Sequence, residues 1–274
     1  MNNYEEKNLL LEVKNLSLAF PNYKEKFKKE ELQVIKNFEI SVNTGEILAV
    51  VGASGAGKSL LADAIFDILP NHAVLKGKIK YKGKELSKKE IKDLRGKDFI
   101  LIPQSIKALN PLLKVGKQVK HVMQQQNKNK QEELLQKILK KLDLDFSVAD
   151  KFPHELSGGM ARRILIAIAM ASSAKLIVAD EPTPGLDKKT RIEILKHLKE
   201  MKNQGRGIIF ITHDIDAALQ IAQKVAVFYD GKTIDLADIK DFSGKGENLK
   251  HPYTKALWNA LPQNDFNIPD NFEF

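Results

Sequence analysis

The stretch ILAVVGASGAGKSLLADAIF, Ile47 to Phe66, constrains the fold more than any other part of the chain. Five successive apolar residues with no polar alternation suit a strand covered on both faces, which is the habit of parallel sheets. Parallel strands need long crossovers, usually helices, so the chain is expected to be α/β. The next eight residues, Gly52 to Ser59, fit G-x-x-x-x-G-K-[ST] in full, and they lie between a predicted strand and a predicted helix as that motif requires. Glycines let backbone wrap closely around an anion, and the helix start adds free N–H groups and a favourable dipole. The phosphate cradle is therefore assigned to Gly52, Ala53, Ser54, Gly55, Ala56, Gly57, Lys58, Ser59 and Leu60. Lys58 is placed to reach β- and γ-phosphates, and the Ser59 hydroxyl to bind Mg²⁺. The run KSLLADAIFDIL predicts a helix stopping at Pro70.

The flanking sequence extends this pattern. LLLEVKNLSLAF and FEISVNTGEILAVV predict early strands, joined by a lysine-rich insert, KEKFKKEE, that reads as a surface loop or turn. KGKIKYKGKEL and KDFILIPQ return to strand character. From residue 105 the chain changes. QEELLQKILKKLDL sets Leu134, Leu135, Ile138, Leu139 and Leu142 on one helical stripe, which predicts a small helical subdomain inserted over about residues 105–158. The α/β rhythm then resumes with a helix over about 159–173, strand KLIVAD, a helix over 188–203, strand GIIFIT, a helix over 214–222 and strand KVAVFYDGK. Residues 1–262 are expected to form one domain including that insert, and 263–274, rich in Asn, Asp and Pro, a loosely held tail.

Ligands of parallel sheets bind outside the carboxyl ends of the strands. Three further places put polar side chains on that rim. LIVADE ends in Asp180, which can approach the Mg²⁺ held by Ser59 through a water, and Glu181, which can polarise an attacking water. IFITHD ends in His213, suited to contact a γ-phosphate or to order that water with Glu181. Gln104 follows FILIP, where its amide can sense the metal or the water. A fourth feature, LSGGM, Leu156 to Met160, reads as a second helix start with Ser157, Gly158 and Gly159 open to an anion.

Composition closes off other classes. The chain has 274 residues, no cysteine and a net charge of +9. Disulfides, thiolate metal sites and cysteine-bound iron–sulfur clusters are excluded. No apolar run approaches the ~20 residues needed to span a bilayer. The start, MNNYEEKNLL, carries no basic segment leading into an apolar one, which predicts a chain without a cleaved leader that stays in the cytosol. The positive charge is almost all lysine and spread along the chain, with arginine only at 95, 162, 163, 191 and 206. Base-edge readout leans on arginine, so nucleic acid is not expected as a partner.

Taken in order, GASGAGKS, Gln104, LSGGM, LIVADEP, PGLD (Pro184 to Asp187) and His213 resemble the nucleotide-binding subunit of an ATP-binding cassette (ABC) transporter. The motifs span residues 52–213, and the pattern extends over nearly the whole chain. The resemblance implies a P-loop NTPase fold of the ABC type, with an N-terminal antiparallel β subdomain and an inserted helical subdomain. It implies ATP and Mg²⁺ as ligands, with Ser59, Gln104 and Asp180 towards the metal and Glu181, His213 and Gln104 in catalysis. It also implies a head-to-tail pair of cassettes. Ser157, Gly158 and Gly159 of one close over the γ-phosphate held by Lys58 of the other, and Asp187 links the two sites. Phe20 is the candidate for stacking on adenine, with Tyr23 second.

Three stretches narrow the resemblance. IPQSIKALNPLLKVGKQV, FPHELSGGM and HPYTKALWNALP, His251 to Pro262, are similar to the oligopeptide, dipeptide and nickel import group. HPYTKALWNALP also reads as an amphipathic helix after Pro252 packed on the body. PTPGLD and MARR depart from the usual forms at those positions, but neither touches a phosphate-contact residue, so ATPase function is expected to survive. Many peptide-type members carry a cysteine-rich tail element. Its absence here tilts the expected cargo towards nickel or a metal chelate, with peptides the other choice. The expected partners are two membrane-spanning permease subunits, a second and different ATP-binding subunit, and indirectly an extracytoplasmic solute-binding protein, all at the cytoplasmic face of the membrane. The alternative is a soluble cassette ATPase acting on ribosomes or nucleic acid.

Overall fold

The computed structural model describes residues 8–24, 28–53, 55–123, 126–261 and 264, with side chains described throughout these except at 22–24 and 28–30. Two sheets organise them. Strands β1 (Leu9–Lys24), β2 (Lys28–Asn43), β4 (Val74–Tyr81) and β5 (Lys84–Glu85) form an antiparallel sheet in the order β2-β1-β4-β5. Strands β3 (Ile47–Val51), β6 (Phe99–Ile102), β7 (Leu176–Asp180), β8 (Gly207–Thr212), β9 (Lys224–Tyr229) and β10 (Lys232–Asp238) form the second, in the order β10-β9-β3-β8-β7-β6. Pairing is parallel from β9 through to β6, and β10 closes the edge antiparallel.

The period of two along β3 and β7 divides the molecule. Ile47, Ala49, Val51, Ile177 and Ala179 face one hydrophobic cluster with most of the helices. Leu48, Val50, Leu176 and Val178 face the other, built with the antiparallel sheet and helix α1 (Lys58–Ile65). Both faces are covered, so these strands need apolar residues at every position, and all five in β3 are buried.

Between β6 and β7 come α3 (Val115–His121), α4 (Lys128–Lys141) and α5 (Gly158–Ala171). Leu135, Ile138, Leu139 and Leu142 are buried there and Leu134 packs partly against them. Helices α6 (Lys188–Asn203) and α7 (Ile215–Ile221) alternate with β7, β8 and β9. The last helix, α8 (Pro252–Asn259), packs on the body. Its Thr254 hydroxyl donates to Asp235 at 2.7 Å, and Trp258 Nε1 donates to the Gly244 carbonyl at 3.1 Å. Apart from Asn264, the expected tail lies outside the described residues.

Three local expectations differ from what is observed. Much of KEKFKKEE is strand, since β1 runs to Lys24 and β2 begins at Lys28. Buried pairs such as Leu16↔Phe38 and Leu18↔Ile35 fix the register, and the backbone ladder carries on outward from them. Helix α1 stops at Ile65, not at Pro70, because Asp67 takes a left-handed conformation with φ +48°. Arg95 then donates to the Asp67 carbonyl at 2.5 Å. Helix α2 (Lys88–Leu94) interrupts a region read only as strand. Its Ser87 and Glu90 form a capping box.

Candidate active site

Strands β3, β6, β7 and β8 run parallel, so their carboxyl ends share one edge of the sheet. Gly52, Pro103, Glu181 and His213 each follow the last residue of one of these strands. The sheet thereby gathers residues up to 161 positions apart in sequence onto one rim.

Glycine is required at two points of the phosphate loop. A Cβ on Gly52 would lie 2.3 Å from the Phe228 carbonyl oxygen, so the loop leaves the sheet pressed against β9. Gly57 caps α1 at φ +89°, where a side chain would also meet Val34. Gly57 supplies no side-chain cap, which leaves the first N–H groups of α1 open to an anion. The Lys58 side chain is 5% exposed, and its ammonium donates to the carbonyls of Gly52 at 2.8 Å and Ala53 at 2.7 Å. Ala56 packs partly against the core below, while Ser54 lies outside the described residues.

A cavity of about 250 Å³ is lined by Gly55, Gly57, Lys58, Ser59, Leu60, Gln104 and Glu181. A larger groove, about 860 Å³, between α6, α7 and α8 holds none of the expected site residues. The Ser59 hydroxyl stands 3.5 Å from Oε1 of Gln104. Asp180 is buried and its Oδ1 has no hydrogen-bond partner. Burial pushes its carboxyl up to about 6, against the pull of the Ser59 hydroxyl. An orphaned carboxylate oxygen beside a hydroxyl and an amide oxygen is a hard oxygen donor set. It fits Mg²⁺, which typically takes one or two carboxylates and completes its shell with phosphates and water.

Glu181 is the most constrained residue here. Its backbone has φ +44°, a conformation that costs a non-glycine residue of order 1–3 kcal/mol and gathers at functional sites. The Glu181 N–H donates to the Ile211 carbonyl at 2.9 Å, which ties the bend to β8. Oε1 accepts from the backbone N–H of His213 at 3.0 Å and from its Nδ1 at 2.8 Å, and Oε2 accepts from the Thr212 hydroxyl at 3.3 Å. Lys58 Nζ is 4.0 Å from Oε1.

The remaining expected residues lie elsewhere. Ser157 caps α5, its hydroxyl accepting from Met160 N–H at 3.3 Å. Gly158 and Gly159 have open space where a Cβ would be, and none of the three lines the cavity. The exposed Asp187 caps α6: its carboxylate accepts from the Thr190 N–H at 3.0 Å and hydroxyl at 2.7 Å. Arg163 donates to the same hydroxyl at 2.8 Å. Phe20 is half-buried on β1 with its ring centroid 5.8 Å from that of His72. The Tyr23 side chain lies outside the described ones.

Two residues of this neighbourhood were not assigned a role from sequence. Thr212 is fully buried, and its hydroxyl bridges Glu181 and the Asp214 N–H, which it accepts at 3.0 Å. A threonine at the end of an otherwise apolar strand was the available signal. Arg162 is buried and donates to the Pro103 carbonyl at 2.9 Å.

Comparison with known proteins identifies the family. The ABC transporter family pattern matches residues 35–184. The oligopeptide transport ATP-binding protein OppD of Bacillus subtilis is 36% identical over 92% of this chain and 72% of its own length. The dipeptide transport ATP-binding protein DppD of the same organism is 34% identical over 94% and 78%. The glutathione import ATP-binding protein GsiA of Escherichia coli is 32% identical over 93% of this chain but only 42% of its own length. A solved dimer of an ATP-binding cassette, in a post-hydrolysis state bound to ADP and Pi, superposes with a TM-score of 0.73 at 25% identity. That match covers 84% of this chain and 99% of the cassette. Among the described residues no helix is long and apolar enough to cross a membrane. A doubly covered parallel sheet bearing a phosphate loop, with these relatives, places the chain in the ABC transporter family as one of its ATP-hydrolysing subunits.

Proposed function

We propose that this chain powers a peptide importer by hydrolysing ATP between two cassettes packed head to tail. The observation that carries the reading is the cavity shared by Lys58, Ser59, Gln104 and Glu181, set against a Ser157–Gly159 segment that does not line it and whose Ser157 and Gly158 are exposed. A segment of this kind outside its own phosphate cavity is free to meet another cassette's nucleotide. The solved cassette bound to ADP and Pi is itself a dimer, which supports pairing of two cassettes.

In this reading the α1 N-terminus and Lys58 bind the β- and γ-phosphates, and Lys58 exchanges its loop carbonyls for phosphate oxygens. Ser59, Asp180 and Gln104 hold Mg²⁺, which when bound supplies charge neutralisation on the phosphates. Glu181 takes a proton from the attacking water as the water oxygen bonds to the γ-phosphorus and the bond to the β–γ bridging oxygen breaks. His213, donating Nδ1–H to Glu181, fixes the carboxylate. Binding of ATP draws two cassettes together, and release of phosphate lets them part.

The names of OppD and DppD favour a peptide cargo over nickel. The proposed partners are two permease subunits, a second and different ATP-binding subunit, and a solute-binding protein across the membrane, with this chain on the cytoplasmic face. Deleting the coding sequence and following uptake of a labelled dipeptide and of radiolabelled nickel in the same cells tests the cargo. Loss of dipeptide uptake alone is expected, and loss of nickel uptake alone overturns the peptide reading.

A further inference from the structure

We propose that Arg162 is a positioning residue for Gln104: its guanidinium holds the Pro103 carbonyl and so sets where the next side chain meets Ser59. The inference rests on the site reading above and extends it to a residue outside the cavity.

Strand β6 is the edge strand of its sheet, with an isolated bridge between its Phe99 and Arg95, and its pairing with β7 ends at Ile102↔Ala179. Pro103 has no N–H to offer, so its carbonyl is the one backbone group by which the departing chain can be held there. Arg162, in the first half of α5, supplies that hold at 2.9 Å across 59 residues of sequence. One residue further on, the Gln104 amide oxygen is 3.5 Å from the Ser59 hydroxyl, at the outer limit of a hydrogen bond. A small shift of Pro103 therefore makes or breaks that contact.

The charge of Arg162 is also coupled to the site. Burial lowers its pKa, while the charges of Asp180 and Glu181 oppose that effect. A buried cation whose hydrogen-bond partner is a neutral carbonyl is costly on its own. The charges of the two site carboxylates offset part of that cost. The helix capped by Ser157 is thus tied, through one side chain, to the loop carrying Gln104.

The test is a double-mutant cycle on the full chain, assembled with its transporter. It compares Arg162→Met and Gln104→Ala, singly and together, by kcat for ATP hydrolysis, ATP Kd and Tm. Loss of one hydrogen bond to the loop predicts that Arg162→Met lowers kcat about tenfold with ATP Kd changed less than about twofold. In the Gln104→Ala background the same change is expected to alter kcat by less than about twofold, because the two residues act as one unit. Arg162→Lys, which keeps a charged donor, recovers most of the loss. If Arg162→Met is equally damaging in both backgrounds, Arg162 acts through packing and the proposal is overturned while the site reading stands. If Gln104→Ala keeps full kcat, both fail. Should Arg162→Met melt too low to assay, the cycle with Arg162→Lys decides: a smaller loss that vanishes beside Gln104→Ala supports the proposal, and an additive one overturns it.

Discussion

Oε1 of Glu181 accepts both the backbone N–H and the Nδ1 of His213, at 3.0 and 2.8 Å, so a single residue holds one carboxylate oxygen from two directions. With Thr212 on Oε2 and the backbone bent at φ +44°, the carboxylate has little freedom to turn. Orientation of this kind is what a general base needs before its substrate arrives.

Replacing Glu181 by Gln keeps the shape and removes the base. ATP binding should persist while kcat falls by about 10²–10⁴, the usual weight of general base catalysis. A paired, ATP-bound cassette should accumulate, visible by size-exclusion chromatography in ATP. Normal turnover in the assembled transporter would show that another group takes the proton.

Lys58→Ala acts at an earlier step. A charge-assisted contact to phosphate is worth about 1.5–3 kcal/mol, so ATP affinity should weaken roughly ten- to a hundredfold. Equilibrium binding of a fluorescent ATP analogue measures this. Unchanged affinity would sink the assignment of the phosphate loop.

Thr212→Val preserves volume and removes a fully buried hydroxyl. The Asp214 N–H and Glu181 Oε2 each lose a partner, so stability should drop by about 1–3 kcal/mol. Urea denaturation without nucleotide reads the change. No loss of midpoint would mean that water replaces the hydroxyl at no cost.

Asp180 gives a pH signature. Its carboxyl is raised by burial to about 6 from an ordinary 3.8, so between those values the folded chain holds a proton that the unfolded chain has lost. The unfolded state then binds fewer protons, and stability falls as pH rises through that window, by up to about 2–3 kcal/mol. Asp180→Asn should flatten this part of the profile when urea midpoints are followed from pH 4 to 7 without metal or nucleotide. An unchanged slope would place the titration elsewhere.

The phosphate loop and the rim were legible because each is announced locally. Gly52–Ser59 carries its own motif, and Asp180, Glu181 and His213 stand at the ends of unbroken apolar runs. Helix α2 was equally announced, by Ser87 and Glu90 three residues apart, but the alternating lysines before it masked the signal. Strand β10 escaped notice although Asp230-Gly231 marks the turn into it, with φ of +44° and +76°. The end of α1 could not be read, because nothing near Asp67 reveals that Arg95 will meet its carbonyl. The Arg162 contact with Pro103 was illegible for the same reason, being set by the packing of α5 against β6. Asp187 was expected at a joint between sites. Within the chain it is a helix cap held by Thr190, and its exposed position leaves that joint a matter for the assembled pair.

Strand β3, which carries the phosphate loop, is paired on both sides and covered on both faces. Its amides should therefore be among the slowest in the molecule to exchange with deuterium. The nucleotide would then be anchored to the part of the chain that comes apart last, so that loosening at the periphery need not cost the cassette its grip on ATP.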